Sequence, residues 1–381
     1  FEDMEKIKKF LNTIKVSFLI ILISFLLMMF IDFFFGKGIM KKFDHLFAES
    51  EFYEKIIRIN HPVFHHMLRA DVNYKKYKSF EGLTVFCTDN HGFRNKCNTK
   101  SGKNFDLAFI GDSFVEAATV KYEESFVGLL DETLKNKIIN LGVTSYAPKI
   151  YLSKINYLLK NDFTFKHIIV FIDVGDLYDD SVHYALNKNL EIREKGRNRK
   201  TYMFKEFLRN NFPFLNYSFF VLRKSNLRKN QESSSPKLDL ISKDFAYLKS
   251  FNTKAKWTYS IKDDKIDGYV GNISYNQKEL IETMSKLYEI LKEKNIELSV
   301  AVYPYPHQLL FDTRDSIHVS MWEDFCYNKC SYFINYFDDF FDIVESQGVK
   351  ETIVKYYWKN DPHFNKEGNR LIFDKLKTIY K

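Results

Sequence analysis

Residues Phe105 to Ile110 form an apolar run with the length and composition of a buried β-strand, and the run stops abruptly at Gly111-Asp112-Ser113. No other short stretch so constrains what the chain can fold into. Glycine permits a sharp backbone turn, and Asp and Ser cap the helix that such a turn starts. A hydroxyl held there stands at the carboxyl end of a strand, beside free helix N-terminal amides. A nucleophile can work in that place, and an oxyanion can be stabilised there. The plainer alternative is a helix cap with no chemistry.

A serine nucleophile needs a general base, and the base needs an orienting carboxylate. The far end of the chain offers both in Trp358-Lys359-Asn360-Asp361-Pro362-His363-Phe364, just ahead of a last amphipathic helix. Between the two motifs, strand and helix signals alternate. Helical spacing over Glu123–Leu134 is followed by a short strand at Lys137–Leu141, a helix over Pro148–Leu159 and a β-branched run at His167–Ile172. A strong helix over Asn276–Lys294 and a strand over Glu297–Tyr303 come later. Such alternation predicts crossover connections and a parallel sheet covered by helices on both faces, with its site at the carboxyl ends of the strands. Ser113, Gly142, Gly175 and Pro304 all fall at those ends.

Ahead of this domain, Val16 to Phe35 is almost unbroken apolar sequence with one carboxylate, Asp32, near its end. About 20 helical residues cross the roughly 30 Å hydrocarbon core, and an acid near one end can reach the interface. The chain therefore divides into a tail (1–15), a transmembrane helix (16–35), an approach segment (36–104) and an α/β domain (105–381). Lysines flank the apolar run on both sides, so the positive-inside rule favours a cytoplasmic N-terminus only slightly. The short tail before a large domain and the pairs Cys87/Cys97 and Cys326/Cys330 tip the domain to the extracytoplasmic side. The cysteines read as two disulfides, as buried thiols or, less well, as a zinc site. Net charge is +8, but the basic residues are spread widely and no nucleic-acid motif accompanies them. Between residues 187 and 237 the alternation breaks, and cations such as Arg197 and Arg199 interleave with Phe204, Phe207, Phe212 and Phe214. This insertion reads as a lid, a lipid-facing arm, a partner contact or a solvated basic loop. His65 and His66 read as surface or packing residues, and Asp89 to Arg94 as a turn followed by an exposed cation.

A Gly-Asp-Ser after an early strand and an Asp-Pro-His before the last helix resemble the SGNH (GDSL-like) hydrolase superfamily. The Gly92-Phe93-Arg94 stretch is similar to one that precedes the nucleophile strand in membrane-attached relatives. The resemblance implies a flavodoxin-like, three-layer α/β fold, with Ser113 as nucleophile, His363 as general base and Asp361 as its partner. It also implies an oxyanion hole from the backbone amides of Ser113 and of Gly142, in Asn140-Leu141-Gly142. The family's third block supplies an asparagine from a Gly-x-Asn-Asp pattern; here Asp173-Val174-Gly175-Asp176 puts Gly175 in that place. Restoring the amide by Gly175→Asn is expected to raise activity if the chain is an enzyme, and to leave turnover at background if its pocket only binds. Asp-x-His spacing, with the anchor, resembles the branch that acts on cell-surface polysaccharides. The implied activity is that of an esterase or O-acyltransferase on acyl, chiefly acetyl, esters of an extracytoplasmic glycan. No cofactor and no metal is implied. Partners would be the acylated glycan or acyl donor, membrane lipid around 16–35, and a membrane protein that hands acyl groups across. The alternative is a non-catalytic glycan-binding or assembly subunit of the same fold.

Overall fold

The computed structural model describes residues 2–42, 57–79, 82–195, 207–208, 211–215, 217–218, 248, 252–259, 271–359 and 361–381. The start of the approach segment (43–56) and most of the 187–237 insertion, with Phe204, Arg197 and Arg199, lie outside the described residues. The chain divides into two compact units: Phe1–Ile56 with Arg197–Asn230, and Ile57–Gly196 with Gln231–Lys381.

The first unit is built on one helix, Glu2–Lys42. Its part Met4–Gly36 contains an 18-residue stretch with a mean hydropathy of 2.8, long and apolar enough to cross a membrane. The helix extends past the predicted 16–35 at both ends. Nothing in Lys6 to Lys15 or Gly36 to Lys42 breaks helical backbone except two glycines, whose propensity cost is small against so long a helix.

The second unit holds the sheet. Five parallel strands, β1 (Asn104–Ile110), β2 (Ile138–Asn140), β3 (Thr164–Ile172), β4 (Glu297–Val302) and β5 (Tyr332–Asn335), lie in the order β5-β4-β3-β1-β2. Ala108 stands opposite Ile139 on one side and Ile168 on the other. Phe109, Ile110, Ile168 and Val170 are fully buried, as strands covered on both faces require. The connection from β1 to β2 runs outward, and that from β2 to β3 runs back across β1. Right-handed crossovers then put their helices, Phe126–Thr133 and Pro148–Lys160, on opposite faces. Ile273–Glu293 packs beside Pro148–Lys160, and Lys366–Ile379 packs beside Phe126–Thr133. This order reverses direction between β1 and β3, which is where α/β sheets open a crevice. Ser113 follows β1, and Asp173 to Gly175 follows β3.

The approach segment is not a separate linker from residue 57 onward. It folds as two antiparallel hairpins, Arg58–His61 with His65–Leu68 and Asn73–Ser79 with Gly82–Cys87, within the same unit as the sheet. Both disulfides form, Cys87–Cys97 and Cys326–Cys330, which removes the zinc and free-thiol readings. Arg94 corrects its sequence reading. It is 2% exposed, lies 4.2 Å over the Phe86 ring, and donates to the Cys87 and Val120 carbonyls at 3.2 Å. Partners brought from either side of the strand, invisible in the local sequence, bury the cation. His66 packs on Tyr146 and sits 2.8 Å from the Thr144 carbonyl, a packing role as expected.

The last helix is fixed from within. Asn365 caps it by accepting the Gly368 N–H at 3.0 Å. The buried Asn369 accepts the Phe126 N–H at 3.1 Å across 243 residues of chain. That one side chain docks the carboxyl-terminal helix against the first long helix after β1, and so fixes the loop before it.

Candidate active site

Gly111 ends β1 against Phe171 and Val115, where an added Cβ would come within 3.1 Å of the Phe171 side chain. The chain then turns into a short helix, Ser113–Glu116, capped by Asp112, whose Oδ1 accepts the Phe114 N–H at 2.9 Å. Ser113 is thereby held at a helix start, and its own N–H has no acceptor among the described residues.

The loop after Tyr356 delivers the other two groups. Trp358 donates its N–H to the His363 carbonyl at 3.0 Å, and the buried Phe364 packs on Phe114 and Tyr303. His363 Nε2 lies 2.7 Å from Ser113 Oγ. Asp361 Oδ1 lies 2.5 Å from His363 Nδ1 and accepts the His363 backbone N–H at 2.9 Å. A carboxylate so placed holds the proton on Nδ1 and leaves the Nε2 lone pair facing the serine hydroxyl. The His363 ring rests on Phe114 at 4.7 Å between centroids and keeps 22% of its side chain exposed, open enough for substrate. Residues 250 positions apart in sequence therefore meet in one Ser-His-Asp chain.

Gly142 stands elsewhere in the arrangement. Its N–H donates to Asn140 Oδ1 at 3.0 Å, and Asn140 Nδ2 donates to the Val115 carbonyl at 2.6 Å. An added Cβ would lie 2.6 Å from Val115 Cβ and 2.7 Å from Glu116 N. Glycine is required here for close packing against the nucleophile helix, and the amide expected to face an oxyanion is already engaged.

Beneath the serine lies a group of buried carboxyls that sequence reading did not assemble. Asp173 Oδ1 accepts the N–H groups of Gly175 (2.6 Å) and Asp176 (3.1 Å), and Oδ2 accepts the Tyr305 hydroxyl at 2.7 Å. Asp176 accepts the Tyr151 hydroxyl at 3.0 Å, and Asp179 takes Lys254 Nζ at 3.0 Å with each oxygen. Burial pushes the Asp112 carboxyl well above the usual carboxylate range, and the neighbouring Asp173 adds to the push. Burial likewise raises Asp176, with Asp173 and Asp112 contributing. Asp112 Oδ2 lies 3.1 Å from Ser113 Oγ. The single serine proton can go to Asp112 Oδ2 or to His363 Nε2, and the histidine contact is the shorter. The signal for this cluster was present in the four aspartates between 173 and 180; its partners Tyr305 and Lys254 come from distant elements.

Gly175 does leave the asparagine's place without a side-chain donor. The space is not empty: a Cβ there would meet Asp173 Oδ1 at 3.0 Å, Tyr305 Oη at 3.3 Å and Lys254 Cδ at 3.4 Å. No group of three or more His, Cys, Asp or Glu side chains is arranged to hold a metal ion among the described residues.

A parallel sheet with its switch point between β1 and β3, a serine on the turn after β1 and an Asp-x-His loop before the last helix fit the SGNH-like α/β fold that the sequence resembles. No family model matches the sequence, and no curated protein matches it either. Among solved structures, the chain is similar to acetylxylan esterase Axe2 from Geobacillus stearothermophilus, at 11% identity and a TM-score of 0.39 over 74% of this chain and 94% of that one. It is similar also to a putative lipolytic protein of the G-D-S-L family from Desulfitobacterium hafniense DCB-2, at 11% identity and a TM-score of 0.36 over 73% and 99%. A third is the psychrotrophic esterase EstA from Pseudoalteromonas sp., at 11% identity and a TM-score of 0.34 over 73% and 96%.

Proposed function

We propose that the chain is a membrane-anchored serine esterase or O-acyltransferase, acting through an acyl-enzyme on Ser113. The single observation that carries the reading is the Ser113–His363–Asp361 chain, with contacts of 2.7 and 2.5 Å. His363 Nε2 takes the serine proton as Oγ attacks the ester carbonyl, and Asp361 stabilises the imidazolium. The Ser113 N–H, at a helix start and with no internal acceptor, faces the developing oxyanion. Collapse of the tetrahedral intermediate, with His363 returning the proton to the leaving alcohol, leaves the acyl group on Ser113. Water or a sugar hydroxyl, deprotonated by the same histidine, then removes it.

The helix Glu2–Lys42 supports a membrane anchor, and two disulfides support a domain outside the cytoplasm. An acetylated cell-surface glycan is the substrate class that the Asp-x-His spacing and the anchor favour together. A second reading, a glycan-binding subunit without turnover, draws on two observations: Gly142's amide is engaged and Gly175 brings no donor. Incubation with a serine-directed fluorophosphonate separates the two. We expect covalent labelling of Ser113 in the parent and none in Ser113→Ala. An unlabelled, folded parent refutes catalysis and leaves the binding subunit.

A further inference from the structure

Asp32 is the one acidic residue between Val16 and Phe35 of the first helix, and it is 3% exposed although the helix around it is bare. Its carboxylate is occupied by another stretch of chain. Oδ1 accepts the Phe214 N–H and Oδ2 the Leu215 N–H, both at 2.9 Å and across more than 180 residues. One turn further along the helix, a Cβ on Gly36 would crowd Asp32 Oδ1 and lie 2.8 Å from Pro213 Cγ, so glycine leaves room for the carboxylate and the proline ring. Phe33 and Phe212 complete the contact at 5.7 Å between ring centroids. Asp32 is thus the N-cap, supplied from a different helix, for a turn that Pro213 opens.

We propose that this stretch of the insertion is a second membrane-contacting element that enters the phospholipid bilayer beside the anchor helix, clamped to it by Asp32. The inference rests on the membrane reading given above. Asp32 lies four residues inside the end of the apolar stretch at Gly36, about 6 Å along the helix axis. Whatever is hydrogen-bonded to it shares that depth. The sequence suits the location: residues 210–222 (Asn-Asn-Phe-Pro-Phe-Leu-Asn-Tyr-Ser-Phe-Phe-Val-Leu) carry no charge and are flanked by Arg209 and by Arg223-Lys224. That run is too short to cross a bilayer and has the length of a re-entrant or interfacial segment. Phe207 is half-exposed, and its ring lies 6.2 Å from Phe212.

Backbone chemistry gives the reason for an acid inside an apolar helix. A helix start in lipid leaves N–H groups that hydrocarbon cannot satisfy. Pro213 has no N–H to satisfy, and the Asp32 carboxylate accepts the next two. The carboxylate in turn gains two donors, which is how a charged group is tolerated at that depth.

All four native cysteines are in disulfides, so an introduced cysteine is the sole free thiol. The full chain, reconstituted in phosphatidylcholine nanodiscs with nitroxide-labelled lipid, is labelled with an environment-sensitive fluorophore at Ser218→Cys or, separately, at Phe25→Cys. We expect lipid quenching at both positions. Asp32→Ala in the Ser218→Cys background should at least halve the quenching there, and Asp32→Asn, which keeps one acceptor oxygen, should fall between. Quenching at position 25 should be unchanged by either substitution. Quenching at 25 with none at 218 overturns the proposal and leaves the anchor intact. No quenching at either position overturns the anchor as well. Full quenching at 218 in Asp32→Ala refutes the clamp.

Discussion

Putting the family's asparagine back at position 175 should fail, and the structure says why. The backbone is no obstacle: Gly175 has φ −77 and ψ −20, a conformation open to any residue. Space is the obstacle. The first side-chain atom would stand 3.0 Å from Asp173 Oδ1 and 3.3 Å from Tyr305 Oη. Neither can retreat, because Asp173 holds two backbone N–H groups and the Tyr305 hydroxyl at once. Overpacking of this kind costs about 1–3 kcal/mol. An oxyanion donor in the right place is worth about 3 kcal/mol, but the nearest acceptor for an amide grown from residue 175 is Asp173, not the substrate. We therefore expect Gly175→Asn to leave kcat/KM on a small acetyl ester at or below the parent value and to lower Tm. Gly175→Ala should lower Tm similarly, because crowding alone is responsible. A rise of tenfold or more, about 1.4 kcal/mol of barrier, would show that the amide reaches the oxyanion and would sink the reasoning.

Two further outcomes can be measured directly. Asp361→Asn should retain the fold but lose about 10⁴-fold in kcat, since an amide no longer enforces the Nδ1–H tautomer of His363; near-parent turnover would remove Asp361 from the triad. Asp180, buried and with Oδ2 3.9 Å from Lys149 Nζ but without a hydrogen bond, is pushed up to about 7, first by burial and against the pull of Lys149. A raised carboxyl binds its proton more tightly when folded. Its contribution is therefore intact below about pH 4 and is lost as pH rises toward 7, at about 1.4 kcal/mol per pH unit and about 4 kcal/mol in all. Asp180→Asn should remove that slope, so urea midpoints of variant and parent should diverge in the variant's favour between pH 4.5 and 8; parallel curves would refute the assignment.

The parallel sheet and the two motifs that meet at the site were legible because each is a local pattern: strands alternating with helices, an apolar run cut by glycine, and a carboxylate two residues before a histidine. The strand order, with its reversal between β1 and β3, was not, because alternation does not say on which side of β1 the next strand is laid. What stayed hidden was held by long-range partners. Arg94 looked exposed because Phe86 and the Val120 carbonyl reach it only after the hairpin folds back. Gly142 looked like an oxyanion donor because its motif matched, whereas Asn140, two residues earlier, captures its N–H. The short edge strand β5 and the helices Ile317–Cys326 and Tyr336–Gln347 are set by packing on β4. Asp32 could be read only as a charge near the end of a span, because its partners lie in a segment whose sequence suggested a basic loop.

The route by which Asn369 pins the last helix to Phe126 has a consequence in time. Ser113 leaves the ribosome 250 residues ahead of His363, which at about 5–20 residues per second is an interval of roughly 12 to 50 seconds. Throughout it the serine has no base and is an ordinary alcohol. Only when the helix Lys366–Ile379 has been made and has settled on Phe126–Thr133 does the histidine come within reach. By then the hydrophobic amino-terminal helix has long been available to the membrane. The Ser113–His363 contact is thus the last part of the site to form, and it waits on completion of the fold.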